Sequence, residues 1–185
     1  MPRNRAMLAH QLLASPRLAP GSAARDRVFQ RLSPEARATF SGTVLPSSWI
    51  DEWHAVELHR AIRVALELTD DEAFKEYYRK AQVVAYSRVF KFLLAFASPA
   101  LMLSRSPSVW KKQHDTGELV VDEVKDASAR GRVVGDPCAT DPDYSLCILA
   151  GMEAALGLTG ARPVTGERRI VSSDVLEVSL RWTPR

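Results

Sequence analysis

The chain has 185 residues, of which 46% are hydrophobic and 25% are charged, and its formal net charge at pH 7 is +3. This composition is typical of a globular protein and excludes a wholly disordered or collagen-like chain. Two cysteines are too few for a disulfide framework, and no signal-peptide pattern opens the sequence, so we expect a cytoplasmic protein.

The basic excess lies at the start of the chain. Residues 1–50 contain seven Arg, two acidic residues and five of the eleven Pro, giving a net charge of +5, whereas residues 51–185 carry −2. Because prolines interrupt regular structure, we expect residues 1–32 to be a basic, partly disordered extension. Residues 6–14 have the pattern of a short amphipathic helix that docks on a partner. A transit peptide and a basic arm are the alternatives for this segment.

The first part of residues 33–185 has the pattern of helices. Ser33-Pro34 is typical of a helix start, and Ser48 with Asp51 predicts a second helix over about 49–67. Thr69 and Glu72 form a capping-box pair. The helix that follows carries apolar residues on one side at three- and four-residue steps: Phe74, Tyr78, Ala81, Ala85, Val89, Phe92 and Phe96.

The segment 92–103 is mostly apolar and has basic flanks. A membrane-spanning helix needs about 20 apolar residues, so this segment predicts a buried core helix or an interfacial one, and the apolar stripe before it favours the core. Pro99 and Pro107 each predict the end of one helix and a new helical turn.

The pattern changes after Gly117. Residues 119–124 with 132–134 predict one hairpin, Asp141-Pro142 begins a helix, and residues 162–171 with 175–182 predict a second hairpin. Residues 33–185 are therefore expected to form a single α+β domain. Its mostly antiparallel sheet consists of two C-terminal hairpins packed against a helical N-terminal half.

No nucleotide-binding, metalloprotease or nucleophile-elbow motif is present, so we do not expect an enzyme. His54 and His114 suit structural roles, the second at a helix C-terminus. Cys138 and Cys147 are too few for a structural zinc site and would supply at most half of one. No cofactor or metal is expected.

Several residues in the later part of the chain resemble a known family. Trp110, Gly117, the helical run Gly151-Met-Glu-Ala-Ala-Leu-Gly-Leu-Thr-Gly-Ala161 and the final Trp182 resemble an uncharacterised paralogous family expanded in myxobacteria. Val44-Leu-Pro-Ser-Ser-Trp-Ile50 is similar to the start of that family's folded region. The family in turn resembles a superfamily that joins vinyl-reductase-type domains, haem nitric-oxide-binding domains and TRAPP vesicle-tethering subunits.

The resemblance implies an apolar pocket enclosed by helices and sheet, often in a dimer, and sensing or scaffolding rather than catalysis. Haem-binding members carry a Tyr-x-Ser-x-Arg motif, whereas Tyr86-Ser87-Arg88 is contiguous here, so haem is not expected. Zinc-bearing members add a Cys near the final hairpin, and this chain has none after Cys147.

We therefore expect a non-enzymatic regulatory or sensory module that binds an apolar small molecule or acyl chain. The alternative is a protein-interaction subunit that uses the basic N-terminal arm and a dimer surface. We expect a homodimer and no transmembrane segment, and we do not expect nucleic-acid binding, because the basic residues of the helical block suit a solvated face. The expected pocket residues are Tyr78, Phe92, Phe96, Leu101, Met102, Trp110 and Met152.

Overall fold

A helical layer and an antiparallel sheet meet along one long helix in the computed structural model. The backbone is described for residues 1–95 and 97–184, and the side chains for the same residues except 87–95. The helices are α1 (Met7–Leu13), α2 (Ala23–Arg31), α3 (Pro34–Ser41), α4 (Glu52–Ala65), α5 (Asp71–Ala95), α6 (Pro99–Gln113) and α7 (Pro142–Leu158). The strands are β1 (Arg3–Arg5), β2 (Trp49–Asp51), β3 (Glu118–Val124), β4 (Ser128–Val134), β5 (Val164–Ser172) and β6 (Val175–Trp182).

Strands β3 to β6 form a four-stranded antiparallel sheet in the order β3-β4-β6-β5. Both predicted hairpins are present, and the pairing of β4 with β6 joins them. The alternation predicted for the last strand is also present, because Leu176, Val178, Leu180 and Trp182 are all buried. The α+β class, with two C-terminal hairpins packed against helices, is confirmed.

Helix α7 separates the two halves of the core. Cys147 and Ala150 pack among the helices, whereas Leu149 and Leu156 pack against the sheet. A helix that is apolar nearly all round is typical of burial between other elements. Asp141 begins α7 as predicted, and its carboxylate accepts hydrogen bonds from two backbone N–H groups of the first turn.

Residues 1–32 pack against the rest of the fold. Their sequence predicts a partly disordered extension, so this prediction is wrong. Strand β1 pairs with β2, and Leu12, Leu18 and Val28 are fully buried in the helical core. The prolines do separate short elements, as expected. A helix as short as α1 is not stable alone, but packing of its apolar face against the domain supplies the missing stability.

Two helix starts differ from the predicted positions. Asp51, rather than Ser48, caps α4 and accepts a hydrogen bond from the Trp53 N–H at 2.9 Å. Asp70, rather than Thr69, accepts from the Ala73 N–H at 2.7 Å at the start of α5. Each predicted cap therefore lies within three residues of the one observed.

Pro107 does not end a helix but lies inside α6. Proline has no N–H, so the carbonyl of Leu103 loses its helical partner. The Ser106 hydroxyl donates a hydrogen bond to that carbonyl at 2.7 Å and replaces the missing bond.

Among the described residues, none of the helices combines the length and the apolar content that crossing a membrane requires.

The packing of the N-terminal segment predicts the effect of one core substitution. Leu12→Ala should lower the free energy of unfolding by about 2–5 kcal/mol in urea denaturation, because it leaves a cavity in the core. Leu45→Ala, at an exposed loop position, is the control and should change it by less than about 0.5 kcal/mol. Equal small effects of the two substitutions would show that residues 1–32 do not contribute to the fold.

Candidate ligand pocket and its polar wall

An apolar cavity of about 160 Å³ lies between α1, α4, α5, α6 and α7. Most of its wall is formed by hydrocarbon, thioether and aromatic side chains, among them Met7, Leu8, Val109 and Ile148. Because α7 faces the helical core on one side and the sheet on the other, the cavity lies where these two regions meet.

Three of the residues expected in a pocket line this cavity: Met102, Trp110 and Met152. Tyr78 does not; it is fully buried among the helices, and its hydroxyl shares a hydrogen bond with His59. Leu101 lies on the outer side of α6 and is 48% exposed, because one residue along a helix turns the side chain by about 100°.

The last two expected pocket residues are Phe92 and Phe96, and the structure does not describe their side chains. The side chain of Phe92 and the whole of Phe96 lie outside the described residues.

The N-terminal segment forms part of the cavity wall, which its sequence does not predict. Asn4, Arg5 and residues 7–9 line the cavity, although this segment was expected to lie outside the domain. The amphipathic pattern of residues 6–14 is the available signal, and it predicts docking on a partner. The structure shows that the apolar face of α1 docks on the chain's own core.

One side of the cavity is polar and hydrogen-bonded. The Asn4 side-chain amide donates to the Tyr144 hydroxyl at 2.7 Å, and that hydroxyl donates to Oε1 of Glu52 at 2.8 Å. Burial, and then the nearby Glu52 carboxylate, raise the pKa of Tyr144 well above its ordinary value, so the phenol keeps its proton. Asn4 and Tyr144 line the cavity, and Glu52 lies behind them.

His114 completes this polar wall. Its Nδ1 lies 2.8 Å from Oε1 of Glu52, and its ring stacks on Trp110 with centroids 3.8 Å apart. His114 follows the last residue of α6, as expected for a histidine at a helix C-terminus. A backbone bridge to Asn4 holds it beside β1, so the N-terminal strand positions two residues of the wall.

A second buried carboxylate, Asp136, approaches the same ring nitrogen of His114. Its Oδ1 accepts hydrogen bonds from the N–H groups of Cys138 and Ala139, and its Oδ2 lies 4.0 Å from Nδ1 of His114. Burial, together with the charge of Glu52, raises the pKa of Asp136 to about 6. The loop before β3 reaches this close because Gly117, at φ +68°, has no Cβ; one there would lie 2.6 Å from Cβ of Asp136.

Glu52, His114 and Asp136 form the group of metal-ligating side chains found among the described residues, with ligand atoms all within 4.8 Å of one another. The sequence offered no signal for this group, because its members are far apart in the chain. Cys138 and Cys147 are free and buried, and the described residues place neither thiol in such a group.

His59 lines the cavity but is separate from this cluster. It is buried on α4, and its Nδ1 and the Tyr78 hydroxyl share a hydrogen bond of 2.8 Å. Burial lowers the pKa of His59 to about 3, so the ring is neutral near pH 7.

Comparison with known proteins identifies the fold. A scan against protein-family models and a search of curated proteins both gave no match. Among solved structures, an Fe(II) unliganded H-NOX protein mutant from K. algicida matches with a TM-score of 0.71 and 13% identity over 97% of this chain and 96% of that one. A Cs H-NOX mutant matches with a TM-score of 0.66 and 14% identity, over 97% of each chain.

A third similar structure is an oxygen-binding H-NOX domain related to soluble guanylate cyclases. It has a TM-score of 0.57 and 14% identity over 97% of this chain and 93% of that one. The fold is therefore H-NOX-like, which supports the haem nitric-oxide-binding part of the expected resemblance at the level of fold. The likeness to vinyl-reductase-type domains and TRAPP subunits stays a prediction.

The cavity does not fit a haem. Pockets for drug-sized ligands have volumes of roughly 300–1,000 Å³, and a porphyrin needs a pocket in that range, whereas this cavity measures about 160 Å³. The Tyr-x-Ser-x-Arg motif that the haem-binding resemblance implies is also absent from the sequence.

The buried neutral His59 predicts a pH dependence of stability. In the unfolded chain this histidine takes up a proton near pH 6.5, whereas in the folded chain it does so only near pH 3. The folded state therefore loses stability as the pH falls below about 6.5. Between pH 7 and pH 5, the wild type should lose about 2 kcal/mol more than His59→Gln in urea denaturation. Equal losses would contradict the burial of a neutral ring.

Proposed function

We propose that this chain is a non-enzymatic sensory or regulatory module that binds a compact apolar molecule in the cavity. The observation that carries the proposal is the apolar cavity of about 160 Å³ with one hydrogen-bonded polar wall. Most ligand sites have this composition, in which an apolar surface supplies affinity and a few fixed polar groups supply orientation.

The cavity volume limits the size of the ligand. An apolar cavity of about 150 Å³ stays dry and binds benzene or xenon, so a cavity of about 160 Å³ suits a molecule of that size. A long acyl chain would need more room than the described walls leave. We therefore narrow the expected ligand class to compact molecules such as small aromatics.

Two further observations support a binding module. The H-NOX-like fold is shared with a protein described as oxygen-binding, so a small-molecule sensor is consistent with this architecture. The thiol that lines the cavity is a poor nucleophile, because burial, and then Asp143, raise the pKa of Cys147 well above its ordinary value.

The alternative function, a protein-interaction subunit that uses a free N-terminal arm, has less support. Strand β1 is paired with β2, and Arg3 forms an ion pair with Asp115 at 2.7 Å. The start of this arm therefore packs on the chain's own fold. The expected homodimer stays a prediction.

A thermal-shift experiment tests the proposed ligand class. Benzene, indole and palmitate are titrated against the purified chain, and mass spectrometry of its organic extract identifies any molecule that copurifies. At 100 times its dissociation constant, a ligand that binds only the folded state stabilises it by about 2.7 kcal/mol, which raises the Tm by about 5–10 °C. We expect this shift with benzene or indole and not with palmitate.

Two matched variants locate the site. Val109→Phe adds bulk at the cavity wall and should abolish the shift, whereas Val84→Phe makes the same change at an exposed position on α5 and should preserve it. The proposal is contradicted if both variants lose the thermal shift equally. It is also contradicted if the wild type shows no thermal shift with any compact apolar probe. A thermal shift with palmitate alone would show that the ligand is an acyl chain and not a compact molecule.

A further inference from the structure

We infer that Glu52, His114 and Asp136 form a binding site for one divalent transition-metal ion, with Zn²⁺ as the probe. The three side chains come from the first turn of α4, the residue after α6 and the loop after β4. One imidazole nitrogen and two carboxylate oxygens are a ligand set that zinc uses in proteins, with a further position open to water.

The hydrogen bonding of the two carboxylates leaves one oxygen of each without a partner. In Glu52, Oε1 accepts from the Tyr144 hydroxyl and lies 2.8 Å from Nδ1 of His114, while Oε2 is buried and has no hydrogen-bond partner among the described residues. In Asp136, Oδ1 accepts from two backbone N–H groups, while Oδ2 is likewise buried and without a partner. Both side chains are fully buried, and an unpaired buried carboxylate oxygen is costly.

Charge balance supports the same conclusion. Among the described residues, no Lys or Arg lies within ion-pairing distance of either carboxylate, and both pair with His114 alone. One imidazolium cannot neutralise two buried carboxylates, whereas a divalent cation can.

The distances are close to those of a bound site. Zinc ligands at about 2.1 Å in a tetrahedron lie about 3.4 Å from one another. Here Nδ1 of His114 lies 2.8 Å from Oε1 of Glu52 and 4.0 Å from Oδ2 of Asp136, and one ligand atom from each of the three residues lies within 4.8 Å of the other two. The metal would take the place of the hydrogen bond between Nδ1 of His114 and Glu52. The Tyr144 hydroxyl and the two backbone N–H groups would then orient the two carboxylates.

The test is zinc binding by the full-length chain, measured by calorimetry and elemental analysis after treatment with a chelator. We expect one Zn²⁺ per chain in the wild type. Glu52→Gln and Asp136→Asn should each weaken binding by about 100-fold or more. Glu153→Gln, which changes a buried carboxylate of α7 that pairs with Lys75, is the matched control and should bind as the wild type does.

A second readout identifies the ligands even if one variant folds poorly. Co²⁺ in the wild-type site should give weak visible d–d bands without a thiolate-to-cobalt band in the near ultraviolet, because the ligands are nitrogen and oxygen. A thiolate band would instead place the metal at Cys138 or Cys147 and overturn the assignment. The absence of zinc binding at millimolar Zn²⁺, or binding that Glu52→Gln leaves unchanged in a folded variant, would also overturn it.

Discussion

The burial of two carboxylates, Glu52 and Asp136, beside one histidine nitrogen is the constraint on which the rest of this structure depends. Buried charges are tolerated only when they are paired or hydrogen-bonded. Here the partners come from separate parts of the chain: Asn4 bonds Tyr144, Tyr144 bonds Glu52, and Nδ1 of His114 faces both carboxylates. The N-terminal strand, the end of α6 and the start of α7 are thereby brought to one place.

The same constraint shapes the cavity. Strand β1 contacts the polar cluster through Asn4, and β1 with α1 forms one wall of the apolar space beside α7. The stacked rings of Trp110 and His114 lie where the apolar space meets the polar cluster. The indole lines the apolar space and the imidazole is hydrogen-bonded to Glu52. A ligand in the cavity would therefore contact mostly apolar side chains and would lie beside the hydrogen-bonded polar wall.

Local features of this fold could be predicted from the sequence, whereas the site could not. The cap at Asp141 and the alternation in the last strand depend on residues a few positions apart, so their patterns are visible in the chain. The cavity wall depends on which helix face meets which neighbour, so of two adjacent residues Met102 lines it and Leu101 does not. The role of residues 1–32 depended on tertiary packing, which composition and proline content do not reveal.

The proposed ligand binding depends most directly on the cavity being an apolar space that accepts a compact molecule. A crystal of the full chain under xenon pressure tests this, since xenon binds dry apolar cavities of this size. We predict a single strong xenon peak between α6 and α7, in contact with Met102 and Met152. A core in which these side chains meet and leave no xenon density would contradict the account.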